Sequence, residues 1–219
     1  MKAVTTELVV LSVRQACLQA LLVRLPGNRW MLPGGPVDPG VAVDDAARAA
    51  LADQTGVRGV VLEQLYSFDR DGGQALCVAQ LALVAADRHP LAPGPGVVEA
   101  RWFALERPGM PALGEDSAEV LAYGLARIRA KAAYAPIALH LLPEEFTLGE
   151  LQTAYEAVLG HALDTRNFRR DVLAGGVVED AGAVRAERPG RPARLYRSTG
   201  ADFQVSARER RIARAIAAR

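Results

Sequence analysis

The apolar positions fall into two rhythms that predict strands and helices in turn. Thr6 to Val13 and Cys17 to Leu25 are near-continuous runs of Val and Leu, the pattern of buried strands. A turn at Pro26-Gly27-Asn28 follows, then the apolar run Trp30-Met31-Leu32-Pro33, broken by the pair Gly34-Gly35. From Asp44 to Gln54 the spacing becomes helical. Ala47, Ala50 and Leu51 share one face, Asp44 and Asp45 favour the N-terminal dipole, and Gly56 stands where a cap ends the helix. Strands are predicted again over Val60 to Phe68, Ala75 to Ala85 and Glu99 to Leu105, and a helix from about Ser117 to Ala133. A strand–helix–strand mixture of this kind is an α+β or α/β sandwich.

The second half, from Tyr134, is organised differently. Thr147-Leu148-Gly149-Glu150 is a capping box, and Leu148, Leu151, Tyr155, Val158 and Leu159 give the helix after it one apolar face that Gly160 closes. A second helix is predicted from about Thr165 to Ala174, stopped by Gly175-Gly176. Val177 to Glu179, a turn around Gly182 and Leu195-Tyr196 read as a small hairpin. Helix, turn, helix and hairpin is the order of a winged helix. Ser206 to Arg219 reads as a final basic helix, with Ser206 and Glu209 as a capping box and Ile212 and Ile216 one turn apart.

Charge sharpens this division. The net charge of +1 conceals a net of −5 over residues 1 to 163 and of +6 over residues 164 to 219, where 13 arginines face 7 acidic residues. Such a split points to a basic segment that meets a polyanion. The predicted helix at Thr165 places Arg166, Arg169 and Arg170 on one face, with Phe168 and Val172 on the opposite side to pack inward. That is the layout of a recognition helix, with Asn167 available to phosphate or base. A solvated basic helix has the same spacing, but the next segment favours DNA. Arg188, Arg191, Arg194 and Arg197 recur every third residue through a Pro/Gly-rich loop, and a polyproline-like stretch would line them along one edge as a wing does on a phosphate backbone.

The segment from Leu32-Pro33-Gly34-Gly35 to Gly56-Val57 resembles the Nudix box. With Gly35 as its first glycine, Leu51, Gly56 and Val57 fall in frame without a gap, and Glu99-Ala100-Arg101-Trp102-Phe103 resembles the strand that follows in that family. The resemblance implies an α/β/α sandwich. It also implies Mg²⁺ held by glutamates, and here the sequence departs from it. The Glu after the loop is Val41, the Arg-Glu pair is Ala49-Ala50, and the last Glu pair is Asp53-Gln54. Methyl groups cannot ligate a hard cation and an amide does so poorly, so no catalytic residue, metal or cofactor is expected. A pocket with a Gly-rich loop whose N–H groups face a diphosphate survives, which suits a sensor. Its expected residues are Gly34, Gly35, Asp53, Arg101 and Trp102.

Tyr134-Ala135-Pro136-Ile137-Ala138, Leu141-Leu142-Pro143-Glu144-Glu145-Phe146-Thr147-Leu148, Arg166-Asn167-Phe168-Arg169-Arg170 and Gly190-Arg191-Pro192-Ala193-Arg194-Leu195-Tyr196, with Leu65-Tyr66-Ser67-Phe68 upstream, resemble the Nudix-related transcriptional regulators of the NrtR family. This resemblance implies a Nudix-like effector domain over residues 1–133 and a winged-helix DNA-binding domain with a helical tail over 134–219. It further implies a homodimeric repressor of NAD-metabolism genes that binds double-stranded operator DNA and releases it on ADP-ribose or an NAD-related nucleotide. A weakly active pyrophosphatase, or a regulator of the same architecture sensing a sugar, remains as an alternative. Other candidates read blandly. Cys17 and Cys77 sit in apolar surroundings, His89, His140 and His161 are scattered, and Asp69 and Asp71 flank a hairpin turn. No secretory signal or membrane span is visible, which fits a cytoplasmic protein.

Overall fold

The structure is a computed structural model and describes residues 2–132, 135–186 and 192–200. It divides into two compact units, Met1–Ala126 and Arg127–Arg219.

In the first unit β1 (Ala3–Arg14) and β2 (Cys17–Leu25) form a hairpin closed by Gln15 and Ala16, both at positive φ as a twist-matched two-residue turn requires. The sheet continues with β3 (Arg29–Met31), β4 (Gly34–Pro36), β5 (Leu62–Arg70), β6 (Ala75–Leu83) and β7 (Glu99–Ala104). Its order is β3-β2-β1-β6-β5, with β4 also on β1 and β7 on β2. All pairs are antiparallel except β1–β6, so β1 lies at the centre and reads as a continuous apolar run. Helix α1 (Val43–Thr55) covers one face, where Leu8, Val10, Leu21, Ala47, Leu51, Val57 and Ala82 make one core cluster. Helix α2 (Glu115–Ala132) covers the other, where Gly124 lets it approach Val9 closely. The chain is therefore α+β, with an α/β/α sandwich at its start. The strands predicted from Val60 and to Ala85 and Leu105 are slightly displaced at their ends. The three-residue strands β3 and β4 were not foreseen, being too short to show a period.

The second unit holds β8 (Phe146–Thr147), α3 (Leu148–Leu159), α4 (Thr165–Gly175), β9 (Val178–Arg185) and β10 (Ala193–Ser198), the strands ordered β8-β10-β9. The capping box is formed. Thr147 Oγ1 accepts from the Glu150 N–H, and the Glu150 carboxylate accepts from the Thr147 N–H. Asp164 caps α4 with a single bond, its carboxylate accepting from the Asn167 N–H at 2.8 Å. Phe168 and Val172 are buried, and Phe168 meets Tyr155 of α3 edge-on at 5.7 Å. The expected turn around Gly182 is not there. Strand β9 runs through it to Arg185, and the register shift opposite Arg194/Tyr196 makes this stretch a bulge, with Gly182 at φ 73°. The predicted helix from Ser206 onward, and Arg188 and Arg191 of the predicted wing, lie outside the described residues.

Candidate functional site

The Gly-rich loop is pinned from two sides. Gly34 pairs with Glu7 in the β1–β4 ladder so tightly that a Cβ there would lie 2.2 Å from the Thr6 carbonyl oxygen, which only glycine permits. From the other side the Gln54 side chain closes a ring on the same residue. Its Oε1 accepts the Gly34 N–H at 3.0 Å while its Nε2 donates to the Gly34 carbonyl at 2.6 Å. The expectation that the Gly34 N–H faces a ligand is thereby corrected, because Gln54 occupies it. At Gly35 a Cβ would meet nothing within 4 Å, so this glycine borders open space. Asp53 is exposed, as are Val41 and Ala49. Gln80 lies beneath the first turn of α1. It is fully buried, donates to Asp44 Oδ1 at 3.2 Å, and its own carbonyl oxygen has no partner among the described residues.

Arg101 and Trp102 do not come together. They are adjacent on β7, so they project to opposite faces of the sheet. Trp102 belongs to the core cluster under α1. The exposed Arg101 lies on the α2 face, its guanidinium 4.4 Å from the Phe103 ring centre and 5.3 Å from that of Trp30. Trp30 meets Phe103 edge-on at 4.8 Å, and Arg24 stands 5.7 Å from the Trp30 ring and bonds Glu99 at 2.9 Å. This aromatic and guanidinium cluster was missed. The period-two alternation of β7 was the signal that Arg101 and Trp102 belong to different surfaces.

A second unforeseen group lies on the α2 face. The Glu7 carboxylate is buried, accepts from the Ser117 hydroxyl at the start of α2, and accepts from Arg70, which also bonds Asp116 at 3.0 Å. Burial opposes the Arg70 charge, but the Glu7 carboxylate beside it prevails, so the guanidinium pKa is held above its usual value. Among the described residues no group of three or more His, Cys, Asp or Glu is placed to hold a metal, and no helix is long and apolar enough to cross a membrane.

In the second unit Arg166, Arg169 and Arg170 are all exposed on α4, opposite Phe168 and Val172. Asn167 is partly buried. Arg170 is engaged by Asp171 at 2.8 Å. Arg194 projects from β10, two-thirds exposed, with Asp180 at 2.9 Å. Arg169 and Arg194 line one cavity of about 270 Å³ together with Thr147, Gly149 and Tyr196. Two positive side chains from different elements thus converge on the N-terminus of α3, where the backbone adds partial positive charge.

Comparison with known proteins agrees with both halves. The NUDIX domain pattern matches residues 3–123, and that of the NrtR DNA-binding winged helix domain matches residues 138–198. The chain is 32% identical over 214 residues to the ADPR responsive transcriptional repressor NtrR of Acinetobacter baylyi, covering 92% of this chain and 84% of that one. Among solved structures it resembles Shewanella oneidensis NrtR complexed with a 27mer DNA, with a TM-score of 0.78, 28% identity, and coverage of 90% of this chain and 93% of that one. It also resembles a MutT/nudix family protein from Enterococcus faecalis, with a TM-score of 0.74, 25% identity, and coverage of 91% and 87%.

Proposed function

The chain belongs to the NrtR family of Nudix-related transcriptional regulators, and from that premise we propose that it is a repressor released from operator DNA by ADP-ribose or a related nucleotide. The observation that carries this reading is the union, in one chain, of a Nudix domain with a winged helix whose α4 exposes Arg166, Arg169 and Arg170 over buried Phe168 and Val172. Residues 1–133 act as the effector domain and residues 134–219 as the DNA-binding domain. Arg166, Asn167 and Arg170 approach the groove, Arg169 turns with Arg194 towards a phosphate, and Arg188 and Arg191 follow the phosphate backbone.

The protein works as a cytoplasmic homodimer on a two-fold operator controlling NAD-metabolism genes, since a winged-helix dimer reads two half-sites separated by whole helical turns. It is not a hydrolase. The side chains of Val41, Ala49 and Ala50 carry no oxygen that could ligate Mg²⁺, and the Gln54 amide is already engaged by Gly34. The effector site includes Gly35 and the surface of α1 near Asp53. Sequencing of genomic fragments retained by the purified protein, followed by anisotropy titration of the enriched duplex with and without ADP-ribose, tests the proposal. Enrichment of a palindrome and its release by the nucleotide are expected. Retention of random fragments alone would sink it.

A further inference from the structure

The Gln54–Gly34 ring carries a consequence for how the effector is held. Its two bonds are reciprocal, and only an amide can make both. The Oε1 needs a donor and meets the Gly34 N–H at 3.0 Å, while the Nε2 needs an acceptor and meets the Gly34 carbonyl at 2.6 Å. The isosteric carboxylate could accept from the N–H but would set a second acceptor against the carbonyl at the same short distance. Two oxygens that close repel unless a cation or a proton stands between them.

The rest of the donor set is equally unsuited to a cation. The neighbouring turns of α1 offer Ala49 and Ala50, the loop offers Val41, and Asp53 is a lone exposed carboxylate. The Mg²⁺ that a Nudix box implies therefore does not fit the residues present here. Gly34 cannot move aside either, because β1 backbone lies against its other side.

We propose that Gln54 is a positioning residue whose amide substitutes for a divalent cation, locking the loop at Gly34-Gly35 in its binding shape so that the nucleotide effector is taken without metal. The inference rests on the effector reading above and adds its ionic requirement.

The test uses the full-length chain, its Q54E and Q54L variants, ADP-ribose as the nucleotide probe and Mn²⁺ as the cation probe. Calorimetry in chelator and in excess Mg²⁺ is expected to give the wild type the same affinity within about twofold. Q54E is expected to bind about tenfold more weakly in chelator, the scale of one lost hydrogen bond, and to recover when Mg²⁺ is added. Q54L, which makes neither bond, is expected to weaken in both buffers without recovery. Electron paramagnetic resonance of Mn²⁺ without nucleotide should show no binding to the wild type and binding to Q54E. A wild-type affinity that collapses in chelator overturns the proposal, as does Mn²⁺ binding to the wild type or a Q54E affinity unchanged in chelator. Failure of ADP-ribose to bind in either buffer overturns the choice of effector instead, because the Mn²⁺ arm still decides the cation question.

Discussion

Arg70 reaches from β5 across the intervening strand β6 to the carboxylate of Glu7 on β1, closing to 2.5 Å with Glu7 only 2% exposed. The Glu7 oxygens also accept from Ser117, so the pair ties the first turn of α2 to the centre of the sheet. A buried charge tolerates the loss of its partner badly. Arg70→Met is expected to lower unfolding free energy by about 3–5 kcal/mol, since it strands Glu7 in the interior. Asp116→Asn removes only the exposed arm of the network and should cost about 1 kcal/mol or less. Urea denaturation of the two variants checks the ordering, and equal losses would show that the buried arm has no special weight.

Three buried or crowded groups make the fold sensitive to alkali. Burial raises the pKa of Cys77, of Tyr66 and, most strongly, of Tyr155. Each folded-state group therefore holds its proton more tightly than the unfolded chain does. Their contribution is complete below the unfolded values and is lost as pH climbs from those values towards the raised ones. The melting temperature should fall from about pH 9, where unfolded Cys77 begins to ionise, and more steeply beyond pH 10, where the tyrosines follow. Tyr155→Phe should flatten the steeper limb. A scanning-calorimetry series in which wild type and variant run parallel above pH 10 would refute this. The same burial predicts that a thiol reagent modifies partly exposed Cys17 in the native protein and Cys77 only on unfolding.

The elements were legible where the period was long. Strands β1, β2 and β6 announce themselves as apolar runs, α1 and α3 by their stripes and terminal glycines, and the Thr147–Glu150 capping box forms as its spacing predicts. What escaped lies in pairings between distant residues. Nothing local marks Glu7, set in a run of Val and Leu, as the partner of Arg70 sixty-three positions on. Gln54 reads as a damaged metal ligand, and only the fold shows it closing on a glycine twenty residues earlier. Gly182 resembled a turn because it is a glycine between strands, yet the antiparallel pairing of β9 and β10 continues past it and turns its freedom into a bulge. Arg101 and Trp102 are the exception, for strand alternation alone separates them.

The two glycines of the loop should respond to alanine in opposite ways. A methyl on Gly34 would drive into the Thr6 carbonyl, so Gly34→Ala must push β4 off β1. The cost is expected at about 1–3 kcal/mol or more, with loss of the Gln54 ring. Gly35 has open space at that position and no positive φ, so Gly35→Ala should fold with nearly wild-type stability. Because Gly35 borders the proposed effector surface, the same methyl should still weaken ADP-ribose binding. Thermal melts paired with calorimetric titration separate the effects, and a Gly35→Ala protein with unchanged affinity would place the effector elsewhere.

Arg169 has a different outlook from its neighbours on α4, and DNA binding should reveal it. Arg166 lies one turn before it on the exposed face, free to meet base edges, and Arg170 is partly satisfied by Asp171. Arg169 instead shares the 270 Å³ cavity with Arg194 and the Gly149 end of α3, an arrangement that suits a single tetrahedral anion better than the flat edge of a base. Phosphate contacts carry no sequence information but release counterions, so Arg169→Ala should weaken every duplex alike and reduce the slope of log K against log salt by about 0.9, one phosphate's worth. Arg194→Ala should reproduce that signature, and the double variant should lose less than the sum because both grip one group. Arg166→Ala should leave the salt slope nearly intact and cost about 1–3 kcal/mol at its preferred base alone. Anisotropy titrations over a salt series, on the operator and on a set of single-base variants, distinguish the roles. If Arg169→Ala relaxes base preference while the slope stays fixed, the cavity does not hold a phosphate and Arg169 is a groove reader.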